Sequence, residues 1–170
     1  MIKIKIVNLI GFSGSGKTFF ISKAIKLLKL YLNYDVAVIK NIHEHQIDET
    51  GKDSYLYSKA GAAYSITKNV YNETVIFSKK ELNIDAIIEW LLKGPFKIDL
   101  VFTEGFRSLE APTIICLKEM KELKPQYNEN IKMISGLICV KNRDESNEFN
   151  LPIIDIQTDF DEFVKICEIK

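Results

Sequence analysis

Eight consecutive residues near the start of the chain have the types and spacing needed to bind a phosphate group. Residues 11–18 read Gly-Phe-Ser-Gly-Ser-Gly-Lys-Thr and match G-x-x-x-x-G-K-[ST] at every fixed position, between an apolar run and a helical pattern. The glycines allow backbone N–H groups to turn inward around a β-phosphate at a helix N-terminus. The alternative is a chance Gly/Ser turn before a helix. The residues predicted to bind the nucleotide phosphates here are Gly11, Ser13, Gly14, Ser15, Gly16, Lys17 and Thr18.

Two oxygen-bearing side chains form a candidate magnesium site. Thr18 supplies the hydroxyl that usually binds Mg²⁺ in a phosphate loop, where waters and phosphate oxygens complete the octahedron. Glu104 ends an apolar run and precedes Gly105, as does the acid that holds Mg²⁺ directly or through water in phosphate-loop NTPases. A surface carboxylate at a strand end is the alternative for Glu104. We predict that Thr18 and Glu104 bind the metal.

The region after the second apolar run contains further candidates with open roles. Asp53 stands before a helical pattern, where it could cap the helix or be a metal ligand, and Asp48 is predicted to be a solvated loop acid. His43 and His45 are too few for a structural zinc site, which needs four ligands. A phosphate or partner contact, made by His43 rather than His45, is the favoured interpretation.

Basic and polar residues at other strand ends could contact the nucleotide. Arg107 and Lys40 could neutralise phosphate charge or be solvated cations, and Phe12 is expected to pack. The turn at residues 141–144, Lys-Asn-Arg-Asp, has the ingredients of a guanine-reading Asn-Lys-x-Asp motif in a different order, and a polar turn explains it equally well. The choice between guanine and adenine therefore stays open at this point.

The composition indicates a small protein without a nucleic-acid or membrane partner. The 170 residues suffice for one well-buried domain, and Lys+Arg and Asp+Glu both number 23, so no basic excess points to nucleic acid. No stretch is long and apolar enough to span a membrane, and the first residues alternate like a strand rather than a signal peptide. Three cysteines without a C-x-x-C spacing predict buried, reduced thiols. We expect a cytoplasmic protein.

The periodicity predicts an α/β fold of the phosphate-loop NTPase type, with a mostly parallel central sheet flanked by helices. The first strand, the helix after the phosphate loop and the second strand should form one right-handed βαβ unit with neighbouring parallel strands. Ligands of such sheets lie beyond the carboxyl ends of the strands, and Asp99, at the start of its strand, is excluded from the site for that reason. The predicted strands are 2–10, 36–39, 62–67, 72–77, 100–103, 113–117, 134–140 and 153–156, and the predicted helices are 17–33, 53–61, 84–91 and about 159–167.

Four segments, in their order and spacing, resemble the molybdopterin-guanine dinucleotide biosynthesis protein B (MobB) family. They are the phosphate loop, residues 36–45, residues 51–55 with 59–62, and residues 103–107. The resemblance covers the first two-thirds of the chain. Its specificity depends on the Gly-Lys-Asp-Ser and Glu-Gly-Phe-Arg segments, because many NTPases share the phosphate loop.

The resemblance implies a homodimeric GTP-binding adaptor with weak GTPase activity. Such a protein assists the guanylyltransferase that joins GMP to molybdopterin, and it works with molybdenum-cofactor insertion proteins. The resemblance also implies Mg²⁺ at Thr18 and Glu104, and a place near the nucleotide for Asp53. The family usually has a histidine-richer loop after the second strand, whereas Asn41 and Glu44 stand there in this chain.

Two other classes of function remain open on the sequence. A small-molecule kinase would use Mg-ATP and a mobile basic lid, for which residues 118–132 have a suitable charge but little length. A pure interaction module would bind nucleotide only for stability. The sequence places no Gln or second Arg to orient water or stabilise the transferring phosphoryl group, so hydrolysis is expected to be slow and its catalytic residues are not assigned.

Overall fold

A computed structural model describes residues 4–141 and 146–169 of the chain. It divides into two compact units, one made of residues Met1–Asn41 and Lys97–Lys170 and the other of Ile42–Phe96. We call the first the sheet unit and the second the insert unit. The expectation of a single domain stays a prediction.

Most of the expected elements are present. The strands are β1 (Lys5–Ile10), β2 (Val36–Lys40), β3 (Ser65–Lys68), β4 (Thr74–Phe77), β5 (Leu100–Glu104), β6 (Thr113–Cys116) and β7 (Ile131–Ser135). The α-helices are α1 (Lys17–Leu32), α2 (Asp53–Lys59), α3 (Ile84–Leu92), α4 (Ile138–Lys141) and α5 (Phe160–Ile166), and two 3-10 turns cover Met120–Glu122 and Lys124–Gln126. The segment considered as a kinase lid, residues 118–132, contains these two turns and the start of β7, and its Leu123 and Gln126 are buried.

The sheet unit is built on five parallel strands in the order β2-β5-β1-β6-β7. The prediction that β2 neighbours β1 is wrong, because β5 lies between them. Burial explains the order: every residue of β5 is buried, as a strand covered on both faces must be, whereas β2 is only partly buried. The fold class is confirmed as a parallel sheet flanked by helices.

The predicted strand at 134–140 is wrong beyond its first two residues. Strand β7 ends at Ser135, and Ile138–Lys141 form α4, because Gly136 between them has a φ of +97° that interrupts the extended backbone. An unbroken apolar run conceals this change of structure in the sequence. The strand predicted at 153–156 is reduced to one parallel bridge between Ile153 and Ile134.

Apolar side chains on both faces of this sheet hold the sheet unit together. Phe20 of α1 and Phe163 of α5 make an edge-to-face contact with centroids 5.5 Å apart on one face.

Cys116 and Cys167 are buried and unoxidised, as predicted, and burial raises the pKa of each thiol to about 12. Cys139 is only half-buried. None of the described helices is long and apolar enough to cross a membrane.

The insert unit contains α2, a hairpin and α3. Strands β3 and β4 pair antiparallel, with Ser65 opposite Phe77, and Asn72 in the connecting turn has a φ of +64°. Asn83 caps α3 by accepting a hydrogen bond from the Ala86 N–H at 2.8 Å. The predicted helices and hairpin of this region are therefore confirmed.

Candidate functional site

The phosphate loop connects β1 to α1 at the carboxyl edge of the sheet. Gly16, directly before α1, has a φ of +102°, which favours glycine and lets the helix begin sharply. The loop surrounds a cavity of about 310 Å³, whose walls also include Lys40 at the end of β2 and Glu104 at the end of β5. The structure thus brings most of the predicted site residues together. The lining residues are Ser13, Gly14, Ser15, Gly16, Lys17, Thr18, Phe19, Lys40 and Glu104.

Lys17 holds its positive charge within the loop. Its ammonium Nζ donates to the carbonyl oxygens of Gly11 and Phe12, both at 2.9 Å. Ser15 is fully buried, and its Oγ has no hydrogen-bond partner within the described residues. A buried hydroxyl without a partner is costly, so the loop retains hydrogen-bonding capacity for a ligand.

Gly136, which lies outside the motif, fixes the phosphate loop against the sheet. A β-carbon on Gly136 would lie 2.3 Å from the Ser15 carbonyl oxygen, and the Leu137 N–H donates to that same oxygen at 3.1 Å. A β-carbon on Gly11 would similarly lie 2.2 Å from the Cys116 carbonyl oxygen. The sequence motif accounts for Gly11, but the role of Gly136 is visible only from the packing.

Glu104 and Thr18 line one cavity and provide oxygen donors suited to Mg²⁺. The Glu104 side chain is 9% exposed, and its Oε1 lies 3.5 Å from Lys40 Nζ, which compensates the buried charge. The described residues contain no cluster of three or more His, Cys, Asp or Glu that could hold a metal by itself. The donor set therefore fits a magnesium ion whose remaining ligands are phosphate oxygens and water.

Arg107 lies beside the phosphate loop and is not among the residues that line the cavity. Its guanidinium carbon is 5.8 Å from the centre of the Phe12 ring, and Nη1 donates to Gln126 Oε1 at 3.1 Å. The buried Gln126 side chain in turn donates to the Glu122 carbonyl at 2.9 Å. Arg107 thus lies against Phe12, which is 44% exposed rather than packed as expected. A direct phosphate contact by Arg107 stays a prediction.

Lys118 also lies beside the phosphate loop, and the sequence motifs did not identify it as a site residue. A β-carbon on Gly14 would lie 3.4 Å from Lys118 Nζ, so this ammonium is directed toward the phosphate loop. Lys118 follows β6, and its backbone N–H donates to Glu122 Oε2 at 2.9 Å. No carboxylate in the described part of the chain forms an ion pair with its side chain. Its position after a central strand was the available sequence signal.

The other candidates belong to the insert unit. Asp53 is exposed at the first position of α2 and does not cap it, since the cap residue is Lys52. The expectation that Asp48 is a solvated loop acid is wrong: it is buried, and its Oδ1 accepts a hydrogen bond from Ser54 Oγ at 2.9 Å. The loop that carries Asp48 folds back on α2, and this contact buries the Asp48 side chain. His43 is exposed, and exposed His45 places Nδ1 3.1 Å from the Gln46 carbonyl oxygen.

A second cavity, of about 240 Å³, adjoins the phosphate cavity and shares Gly16 and Phe19 with it. Its other walls come from Phe20 of α1, from the end of β7 and the residues that follow it, and from residues after the Ile153 bridge. Of the turn considered for guanine reading, Lys141 is exposed, and residues 142–144 lie outside the described residues. The polar side chains that line this second cavity include Ser135, Asp155 and Gln157.

Comparison with known proteins identifies relatives by sequence and by structure. The family described as Molybdopterin guanine dinucleotide synthesis protein B matches residues 6–140. The Molybdopterin-guanine dinucleotide biosynthesis adapter protein of Haemophilus influenzae is 29% identical over 78% of this chain and 75% of its own length. A putative adapter protein of the same description from Methanocaldococcus jannaschii is 31% identical over 68% of this chain and 48% of its own length.

The fold of a solved structure agrees with these sequence matches. The crystal structure of Bacillus subtilis MobB superposes with a TM-score of 0.75 and covers 98% of this chain and 99% of its own, at 22% identity. At that identity the likeness concerns the fold alone.

Proposed function

The chain belongs to the molybdopterin guanine dinucleotide synthesis protein B family, and from this premise we propose that it is a cytoplasmic GTP-binding adapter with weak GTPase activity in molybdenum cofactor biosynthesis. It assists the guanylyltransferase that joins GMP to molybdopterin. The observation that carries the proposal is the phosphate cavity, in which Lys17, Thr18 and Glu104 surround one space beside a buried Ser15 hydroxyl that has no hydrogen-bond partner among the described residues.

The residues of this cavity have distinct roles in the proposal. The loop N–H groups and Lys17 bind the phosphates of GTP, because both present positive charge to an anion. Thr18 and Glu104 hold Mg²⁺, which when bound neutralises charge on the phosphate oxygens. Asp53 and Arg107, which are not among the described residues that line the cavity, also bind the nucleotide in this proposal.

Slow hydrolysis is supported by what lines the cavity. Its charged side chains are two lysines and Glu104, and among its described lining residues there is no Gln or Arg to orient a water or stabilise the transferring phosphoryl group. Loss of such a group typically costs orders of magnitude in rate. The nucleotide therefore acts as a bound effector more than as a substrate consumed in turnover.

The exposed apolar residues of the insert unit support a homodimer. Val70 is 88% exposed, Tyr71 81% and Ile66 64%, all on or beside a hairpin of only two strands. A two-stranded hairpin is marginally stable alone, and its open edges can pair with another strand. A second copy of this chain, joined through the same surface in both subunits, would cover these side chains.

The adapter role is tested by adding the protein to a guanylyltransferase of the same organism with molybdopterin and Mg-GTP. We expect the native protein to raise the rate of guanine dinucleotide formation and Lys17→Ala to lose the effect. Lys26→Ala, which changes an exposed lysine on the same helix, should act like the native protein. If the native protein leaves the rate unchanged at saturating concentration, the adapter proposal is wrong.

A further inference from the structure

The second cavity adjoins the phosphate site and differs from it in the residues that line it. Gly16 and Phe19 form a wall of both cavities, so a ligand anchored in the phosphate loop can extend past them. The second cavity has a volume of about 240 Å³, whereas sites for whole drug-sized ligands begin at roughly 300 Å³. The smaller volume suits one planar ring system.

The walls of this cavity combine exposed apolar groups with a carboxylate. Phe19 is 57% exposed and Leu137 is also exposed, although apolar side chains of this size are usually buried. Aromatic rings with free faces bind nucleobases by stacking. Asp155 lines the same cavity, and only its Oδ1 is engaged among the described residues, by the Gln157 N–H at 2.9 Å.

We propose that this cavity is the nucleobase subsite, in which Phe19 and Leu137 contact the ring and the Asp155 carboxylate selects guanine. The inference rests on the proposed function, because it assumes that the phosphate loop binds a nucleotide. It places base recognition after the Ile153 bridge, at a position that the sequence motifs do not mark.

The chemistry of the carboxylate determines which base is preferred. Guanine presents two donors side by side, N1–H and the 2-amino group, and an ionised carboxylate has only acceptors, so the two match. Adenine presents an acceptor at N1, which faces the carboxylate unfavourably. A site built to hydrogen-bond a substrate donor rejects an analogue that lacks it, because its own polar group is left unpaired.

Cys139 provides a reporter for this cavity. Cys139 lines the cavity and is half-buried, and its Sγ donates to the Ile154 carbonyl oxygen at 3.4 Å. The other two cysteines are buried, and burial raises the pKa of each thiol to about 12, so a maleimide should label Cys139 in preference to them. We would follow the labelling of the native protein by mass spectrometry with Mg-GTP, with Mg-tripolyphosphate or with neither. We expect GTP to slow the labelling at least tenfold and tripolyphosphate to slow it less than twofold.

Two outcomes separate this inference from the proposed function. If calorimetry shows GTP bound but the labelling rate of Cys139 does not change, the subsite is wrong and the proposed function stands. If neither GTP nor ATP binds, the proposed function fails and the subsite fails with it.

Substitutions test the subsite independently of the thiol. Val140 is 81% exposed and lines the cavity, so Val140→Trp should fill the opening without disturbing the fold and weaken GTP at least tenfold while tripolyphosphate binds as before. Leu30→Trp, at an exposed site on α1, is the matched control and should bind both as the native protein does. Equal GTP affinity in the two variants would overturn the proposal.

The role of Asp155 has its own test. Asp155→Asn keeps an Oδ1 that can accept from the Gln157 N–H, so the turn is preserved, but it replaces an acceptor with a donor. We expect the preference for GTP over ATP to fall at least tenfold and xanthosine triphosphate, which carries an oxygen in place of the 2-amino group, to bind better than it does to the native protein. An unchanged order of the three nucleotides would contradict a base-selecting Asp155.

Discussion

The sheet unit and the insert unit place their apolar side chains in opposite environments. In the described residues, every buried apolar side chain except Ile88 belongs to the sheet unit. The insert unit instead exposes large apolar groups, including Val70, Tyr71 and Phe96. Burial of apolar area is the main stabilising term in folding, so the sheet unit has its own core and the insert unit has apolar surface left to bury against something else. We infer a division of labour, in which one unit binds the nucleotide and the other binds protein.

The largest expected effect comes from filling the close contact behind the phosphate loop. Gly136→Ala would place a methyl group 2.3 Å from the Ser15 carbonyl at a φ of +97°, so we expect a loss of about 3 kcal/mol or more in the free energy of unfolding. Gly61→Ala in the insert unit is the control, because it has a similar φ of +104° and open space around it. It should cost about 1 kcal/mol. Denaturant unfolding measures both, and equal losses would refute the tight contact.

Removing the Lys17 ammonium should weaken nucleotide binding, which we assign to the sheet unit, without affecting association, which we assign to the insert unit. Lys17→Ala deletes a charged donor that reaches the phosphates, so GTP affinity should fall by about 2–3 kcal/mol with little change in oligomeric state. Calorimetric titration measures the affinity, and sedimentation measures the oligomer. Lys26→Ala should match the native protein in both. A Lys17→Ala variant that binds GTP normally would show that the loop is not the nucleotide site.

The converse substitution changes the insert unit alone. Val70→Glu with Tyr71→Glu adds charge to an exposed apolar surface, and we expect the proposed dimer to dissociate with a dissociation constant about 100-fold higher, because buried unpaired charge is costly. Sedimentation velocity across a concentration series measures this change. Leu30→Glu on the exposed part of α1 should leave the dimer intact. If the native protein is already monomeric at high concentration, the division of labour is wrong.

A smaller effect is expected at the lysine that the sequence reading missed. Lys118→Met keeps an unbranched side chain that is one atom shorter and removes its charge beside Gly14, so we expect GTP to bind about tenfold more weakly, a loss of about 1.4 kcal/mol. The loss for GMP should be smaller, because GMP carries fewer phosphate charges. Lys121→Met, at an exposed lysine paired with Glu119, is the control. An equal loss of GTP affinity in the two variants would show that the effect comes from the general surface charge, and would contradict a specific role for Lys118.

The sequence predicts the sheet unit's site better than its strand order. The phosphate loop and Glu104 are recognisable because their chemistry needs particular residue types at fixed spacings. The place of β5 between β1 and β2 depends on which strand is covered on both faces, and no local pattern encodes it directly. Gly136 and Lys118 act through contacts with residues more than 100 positions away, so their roles emerge only in the folded chain.

The insert unit shows the reverse balance. Its helices and hairpin follow from periodicity and turn residues, and all were predicted. Its candidate side chains were harder to place: Asp48 proved buried, because the loop that carries it folds back and Ser54 hydrogen-bonds its carboxylate. The role of Asp53 in nucleotide binding stays a prediction. Short-range patterns therefore predict elements, whereas burial of a loop residue depends on a path that the sequence does not reveal.

The most direct test of the account is calorimetric titration of the purified protein with GTP and, separately, with ATP, both with Mg²⁺. We predict that GTP binds at least tenfold more tightly, a difference of about 1.4 kcal/mol. Equal affinity, or a preference for ATP, would contradict a guanine nucleotide adapter and would favour a small-molecule kinase.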